Sequence, residues 1–229
     1  MVSTLIRQTL AILAKDLRRE WRSREIMITT ISFAVLLMVI FTFAFYQDDH
    51  TVSQVFPGIL WISIVFTGTL AVSRTFQHER DDDCLRALAL IPGSHKSLYL
   101  GKLLTNLTFI ILFELALIPL LWLTFSVDLQ SSLALHLLTI ALGTLGFASL
   151  GTLVAAMLVR SDLREVLLPI VLYPLLVPLL IAGVQTTSAL LDGATASEVR
   201  PWLQAMLAMD ILYAVLSTLL FRWVLSAVE

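Results

Sequence analysis

The chain has 229 residues, of which 58% are hydrophobic and 14% charged, with a mean hydropathy of +0.90 and a formal net charge of -2. A soluble domain needs roughly a quarter of its residues charged to cover its surface, so a water-soluble globular class is excluded and lipid is the expected surrounding. The single cysteine, Cys84, excludes an intrachain disulfide framework and a cysteine-based zinc cage.

The first element, Leu5 to Trp21, places Leu5, Leu10, Leu13, Leu17 and Trp21 near one helical face and Arg7, Lys15, Arg18 and Arg22 on others. That pattern suits a helix lying in a membrane interface and held by anionic lipid. The alternative is a charged extension that only sets topology. The long apolar run after it exceeds a signal-peptide h-region, so the sequence reads as having no cleavable signal peptide and the run reads as a span.

About 20 apolar residues cross the hydrocarbon core as a helix. Six runs qualify: Ile26 to Tyr46, Val55 to Ser73, Lys102 to Phe125, Leu133 to Val159, Val166 to Val184, and Gln204 to Leu225. They lack strict alternation and are twice the length of a barrel strand, which excludes a β-barrel. The expected fold is therefore all-α, a polytopic six-helix transmembrane bundle. Arg7, Lys15, Arg18, Arg19, Arg22, Arg24, Arg74, Arg80, Arg86, Lys96, Lys102, Arg160, Arg164 and Arg222 all fall on one side of these spans, and Arg200 alone falls on the other. Cytoplasmic loops carry the excess of Lys and Arg, which predicts both termini in the cytoplasm. The opposite loops carry Asp48, Asp49, Asp128, Asp192 and Glu198.

Between spans two and three, Asp81, Asp82 and Asp83 can seed a short helix, because acids suit a helix N-terminus. Leu85, Leu88 and Ala89 then share an apolar face, and Pro92-Gly93 ends the helix. Such a helix either docks on a partner or tucks its leucines against its own bundle. Span four has small residues at Thr144, Ala148, Thr152 and Ala156, with Gly143, Gly151 and Ala155 nearby, a spacing that lets helices approach closely in lipid. Span five carries Pro169, Pro174 and Pro178, which predict a kinked or broken helix. Gln185 to Pro201 reads as a polar, turn-prone connection.

Two acids lie inside apolar runs, Glu114 in span three and Asp210 in span six. A charge at membrane depth is costly and faces a protein interior or a water-filled cavity; these two either line a polar path or pair within the bundle. No buried lysine or arginine is evident as a partner. The sequence has no P-loop, no G-x-S-x-G and no H-E-x-x-H, so no catalytic or metal-ligating set is expected. Energy for any transport must then come from a partner or an ion gradient.

Specific residues carry a family resemblance. Phe56-Pro57-Gly58 and Trp61 open span two. Arg74, Phe76, Glu79, Leu85, Leu88, Leu90-Ile91-Pro92 and Tyr99-Leu100-Gly101-Lys102 follow, and then Arg164-Glu165-Val166-Leu167-Leu168-Pro169 with Pro174 and Pro178. This set, in this order, resembles the CcmB family, the haem exporter permease subunit of the bacterial cytochrome c maturation transporter. The chain departs from the family pattern at Asp82-Asp83, where Asp-Gly is common, and at Arg86, where an acid is usual. Loss of the glycine removes an easy positive-φ turn.

The resemblance implies an ABC-2-type permease without its own ATPase site, multi-pass in the bacterial inner membrane. The charge and apolar pattern assigns residues 1–25 to a cytoplasmic interfacial helix and 26–229 to a single six-span transmembrane domain, which the resemblance makes a permease domain. Implied partners are an ATP-binding subunit (CcmA-like), haem-handling membrane proteins (CcmC- and CcmD-like), a haem chaperone (CcmE-like) and the lipid bilayer, with paired permease subunits and no nucleic acid. Haem is implied as cargo and not as a resident cofactor. Glu79, Asp82, Asp83, Leu85, Arg86, Leu88 and Pro92 become the candidate coupling helix and ATPase interface, and Glu114 and Asp210 the candidate polar path. The competing readings are an ABC-2 permease for a lipid, polysaccharide or drug, and a non-transporting scaffold of the maturation complex. His50 and His136 fall near the external face, where a loop histidine ordinarily decorates the surface and in principle ligates a haem iron.

Overall fold

The computed structural model describes residues 2–44, 49–76, 94–125 and 132–226. Among them are seven α-helices: α1 (Val2–Ser23), α2 (Glu25–Ala44), α3 (Asp49–Thr75), α4 (Ser94–Phe125), α5 (Leu133–Met157), α6 (Arg164–Leu191) and α7 (Ala196–Ser226). Within five of them lie stretches long and apolar enough to cross a membrane: Gln54–Thr75, Lys96–Trp122, Leu133–Met157, Arg164–Leu191 and Ala196–Phe221. The corresponding stretch of α2, Ile31–Ala44, is shorter. The protein is a multi-pass helical membrane protein, a form in which most backbone polar groups are satisfied within the spanning helix itself.

The helix α5 is the centre of the bundle and packs against α3, α4, α6 and α7. Its small residues allow this. A Cβ added at Gly143 would collide with the indole of Trp61 on α3, one at Gly146 would meet Asp210 of α7 and Leu179 of α6, and one at Gly151 would press on Val72 of α3. In lipid, where apolar surface has no water to escape, close approach of this kind is the main source of helix–helix attraction. A larger apolar cluster includes Trp61, Val72, Phe147, Leu172, Leu176 and Phe221. A smaller one unites α2, α3 and α4 through Ala34, Phe56, Ile64, Phe113 and Leu121.

Several boundaries differ from the sequence expectation. α4 begins at Ser94, ahead of the expected Lys102, because Leu98 and Tyr99 are buried and the Tyr99 ring packs tilted against Phe221 with centroids 5.2 Å apart. The expected connection Gln185 to Pro201 contracts to Asp192–Thr195. Thr186 and Thr187 return their hydroxyls to the Ala182 and Gly183 carbonyls at 2.7 and 2.8 Å, so polar side chains stay helical and buried. Glu198 then reaches back to Thr195, the glutamate half of a capping box: its carboxylate accepts from the Thr195 amide at 2.6 Å and from its hydroxyl at 2.8 Å. Gly193, at φ 83°, supplies the left-handed turn between α6 and α7. α6 runs continuously through Pro169, Pro174 and Pro178, so the broken helix is not found. Membrane helices tolerate such prolines where neighbouring groups satisfy the freed carbonyls.

α1 docks on α4 through a stripe beside the apolar face expected in the membrane interface. Thr9 and Glu20 are buried, and Ile12 lies against Gly101, where no Cβ intervenes. Leu10 and Trp21 of the expected apolar face are 53% and 72% exposed. The helix therefore has three stripes: a docking stripe, an exposed apolar stripe and a basic stripe.

Candidate functional site: buried polar groups around the central helix

The most connected polar cluster lies where α3 ends and α4 begins. Lys102, in the third turn of α4, is 1% exposed. Its ammonium donates to Asp16 Oδ2 of α1 at 2.9 Å and to the Thr75 carbonyl of α3 at 2.9 Å, and it sits 5.4 Å from the centroid of the Phe76 ring. The carbonyl it caps belongs to the last turn of α3, where a cation is favoured by the helix dipole. The Thr75 hydroxyl donates to Asn106 Oδ1, and Asn106 Nδ2 donates to Thr152 Oγ1 of α5 at 2.9 Å. One chain of contacts thus ties α1, α3, α4 and α5 together. Sequence reasoning assigned Lys102 to the loop side as a topology charge and missed Asp16. The available signal was an acid on the same stripe as Thr9 and Ile12, at helical spacing.

Farther along the bundle lie the two intramembrane acids. Glu114 is 5% exposed and accepts a hydrogen bond from Thr144 of α5. Asp210 is 3% exposed, lies against Gly146 of α5, and has no hydrogen-bond partner at either oxygen among the described residues. Thr144 and Gly146 are separated by about 3 Å along the α5 axis, so the acids flank α5 at one depth on different sides. Lys102 is a buried cation after all. It stands twelve positions before Glu114 on α4, about 18 Å away at the helical rise, and pairs with Asp16 instead. Below Asp210, Ser217 donates to the Ser149 carbonyl at 3.1 Å, and Tyr99 reaches the same carbonyl at 3.4 Å. The small-residue stripe of α5 is therefore a hydrogen-bonding stripe as well: Thr144 serves Glu114 and Thr152 serves Asn106.

At the other end of the bundle, Trp61 fits a slot between Gly143 and Gly183 and donates from Nε1 to Thr187 Oγ1 at 3.1 Å. His136 is 3% exposed and bonds Ser132 through Nδ1 at 3.1 Å. It is enclosed in the first turn of α5 and does not decorate a loop surface. The coupling-helix candidates Glu79, Asp82, Asp83, Leu85, Arg86, Leu88 and Pro92 lie outside the described residues. The basic stripe of α1, with Lys15, Arg18, Arg19 and Arg22, lines an open groove of about 740 Å³. Among the described residues no three His, Cys, Asp or Glu side chains are grouped to hold a metal ion.

Apolar membrane-length helices, a tightly packed central helix and acids buried at membrane depth define the class: a multi-pass helical membrane protein with a polar interior. Residues 7–226 match the family described as CcmB protein, and the chain belongs to that family. Five curated relatives carry the name Heme exporter protein B. The one from Pseudomonas aeruginosa is 25% identical over 198 residues, covering 86% of this chain and 88% of its own length. That from Haemophilus influenzae is 28% identical over 177 residues, covering 75% and 77%. That from Bradyrhizobium diazoefficiens is 27% identical over 186 residues, covering 80% and 82%.

Proposed function

We propose that this chain is the permease subunit of an ABC transporter that exports haem, or drives its delivery, to the periplasm for cytochrome c assembly. The observation that carries this reading is a family match spanning nearly the whole chain together with relatives named as haem exporters. The sequence holds no P-loop, so ATP hydrolysis belongs to a separate CcmA-like subunit, and CcmC-, CcmD- and CcmE-like proteins handle the haem.

In this reading α2 is the first of six spans in an ABC-2-type arrangement in the bacterial inner membrane, with both termini cytoplasmic and permeases acting in pairs. The cation bias across the sequence supports the orientation. Residues 1–25 form the interfacial helix: Ile6, Leu10 and Trp21 face acyl chains, and the basic stripe faces anionic headgroups. Residues 26–229 form the permease domain. The segment Asp82 to Ile91 is the coupling helix that receives the ATPase, with Glu79, Arg86, Leu88 and Pro92 in or beside the contact. Glu114 and Asp210 line a polar path beside α5, a role supported by the cost of placing an acid at membrane depth, where such residues face a bundle interior or a water-filled cavity.

Deleting the gene in its own host is expected to remove c-type cytochromes and spare b-type ones, with restoration by the wild-type gene. In the same assay Asp210→Ala is expected to accumulate normally and lower c-type cytochromes several-fold. Full c-type cytochrome content in the deletion strain would overturn the function. Full content with the Asp210 variant alone would remove that acid from the path.

A further inference from the structure

Among the described residues Lys102 is the most deeply buried ionisable side chain, and its environment is asymmetric. Its partners are a carboxylate from α1, a backbone carbonyl from the last turn of α3 and an aromatic ring one residue further on. Asp16 is itself only 11% exposed and also accepts from Thr105 Oγ1 at 3.4 Å. The close approach of Ile12 to Gly101 holds α1 against the same turn of α4. Burial of an ion pair seldom adds net stability over apolar residues of equal size, whereas removing one partner is strongly destabilising. Such a pair therefore specifies an arrangement more than it strengthens one. The arrangement specified here fixes the end of α3 and the start of α4 relative to the N-terminal helix docked on them.

We propose that Asp16 and Lys102 form a positioning latch that makes α1 one mechanical unit with the adjoining ends of α3 and α4. This inference rests on the permease reading, in which work is delivered by the ATPase at that end of the bundle. From Lys102 the unit continues through Thr75 and Asn106 to Thr152 of the central helix. A displacement of the α3 and α4 ends thereby carries α1 along the membrane surface and reaches α5, which is packed against the intramembrane acids. α1 contributes position and takes no part in contact with cargo.

The test uses the full-length chain with its native partners in host membranes. Variants are Asp16→Leu, Lys102→Met and the apolar pair D16L/K102M, none of which adds a trypsin site. One readout is the content of c-type cytochromes; the other is the rate at which trypsin releases α1, which is independent of transport. Asp16→Leu and Lys102→Met each leave one member of the pair without the other, and each is expected to speed release of α1 and to bring c-type cytochromes to background. The apolar pair, which keeps packing without charge, is expected to recover protection of α1 and to retain co-purifying ATPase that hydrolyses ATP, yet lose most cytochrome output. Unchanged release of α1 in both single variants overturns the latch, and full cytochrome output from the apolar pair or from a single variant overturns its coupling role. A wild-type chain that leaves c-type cytochromes unchanged in the deletion strain overturns the permease reading instead, while the proteolysis still reports on the latch.

Discussion

Replacing Leu88 with aspartate is expected to abolish cytochrome c assembly while the chain still inserts and accumulates in the membrane. The sequence predicts that Leu88 shares an apolar face with Leu85 and Ala89 in the segment between α3 and α4. In the proposed function that face seats in a groove of the ATPase. An unpaired charge buried in such a contact costs about 3–5 kcal/mol, a factor of roughly hundreds to thousands in the docked population. Insertion depends on the apolar spans and is untouched by a loop substitution. The measurements are c-type cytochrome content, chain abundance in membranes, and recovery of ATPase with the tagged chain. Retained assembly in this variant sinks the assignment of a coupling helix to this segment.

The second large effect is structural and lies in the tryptophan slot. Gly183→Val places two methyl groups where the Trp61 indole now rests, and the ring is held on its other side by α5 at Gly143. The indole is rigid and 2% exposed, and its Nε1 is fixed by Thr187. Relief thus requires α3 and α6 to separate. Overpacking of this kind costs about 1–3 kcal/mol, and lipid supplies no opposing hydrophobic drive to hold the helices together. The variant is expected to show faster thermal loss of monodisperse protein in detergent and lower abundance in membranes. Combination with Trp61→Leu is expected to recover part of the loss. Unchanged stability of Gly183→Val would mean that the slot has slack that its packing does not suggest.

The sequence carried the membrane class because apolar length is a local property. The runs around α3, α5 and α6 could be read without knowing what any of them touched. Helix ends were less legible wherever polar residues continued a helix instead of ending it. Ser94 to Gly101 looked like loop because Lys96 and Lys102 were counted as solvent charges, yet Leu98, Tyr99 and Lys102 are buried. The start of α7 had a readable signal in Thr195 and Glu198, three positions apart, which was passed over in favour of the turn-rich composition around it.

Legibility of the polar interior divides along the same line. Glu114 and Asp210 stood out because each interrupts an apolar run. Their surroundings did not, since Thr144 and Gly146 are distant in sequence and look like packing residues. The Asp16–Lys102 pair was hidden for a similar reason. Each member sits in a segment rich in charge, where another acid or base carries no signal, and only the docking of α1 on α4 brings them together. Trp61 and Gly143 were both noticed, for different reasons, and the slot they share with Gly183 emerges only from the packing of three helices.

The most direct test of the central claim is purification of the tagged chain from its own membranes in mild detergent, with mass spectrometry of what accompanies it and an absorption spectrum of the complex. A haem-export permease is expected to bring down a small ATP-binding subunit together with CcmC- and CcmD-like haem-handling proteins, and to show a haem Soret band in the complex. Recovery of an ATP-binding subunit without haem or haem-handling partners would contradict the account and assign the chain to export of a different cargo.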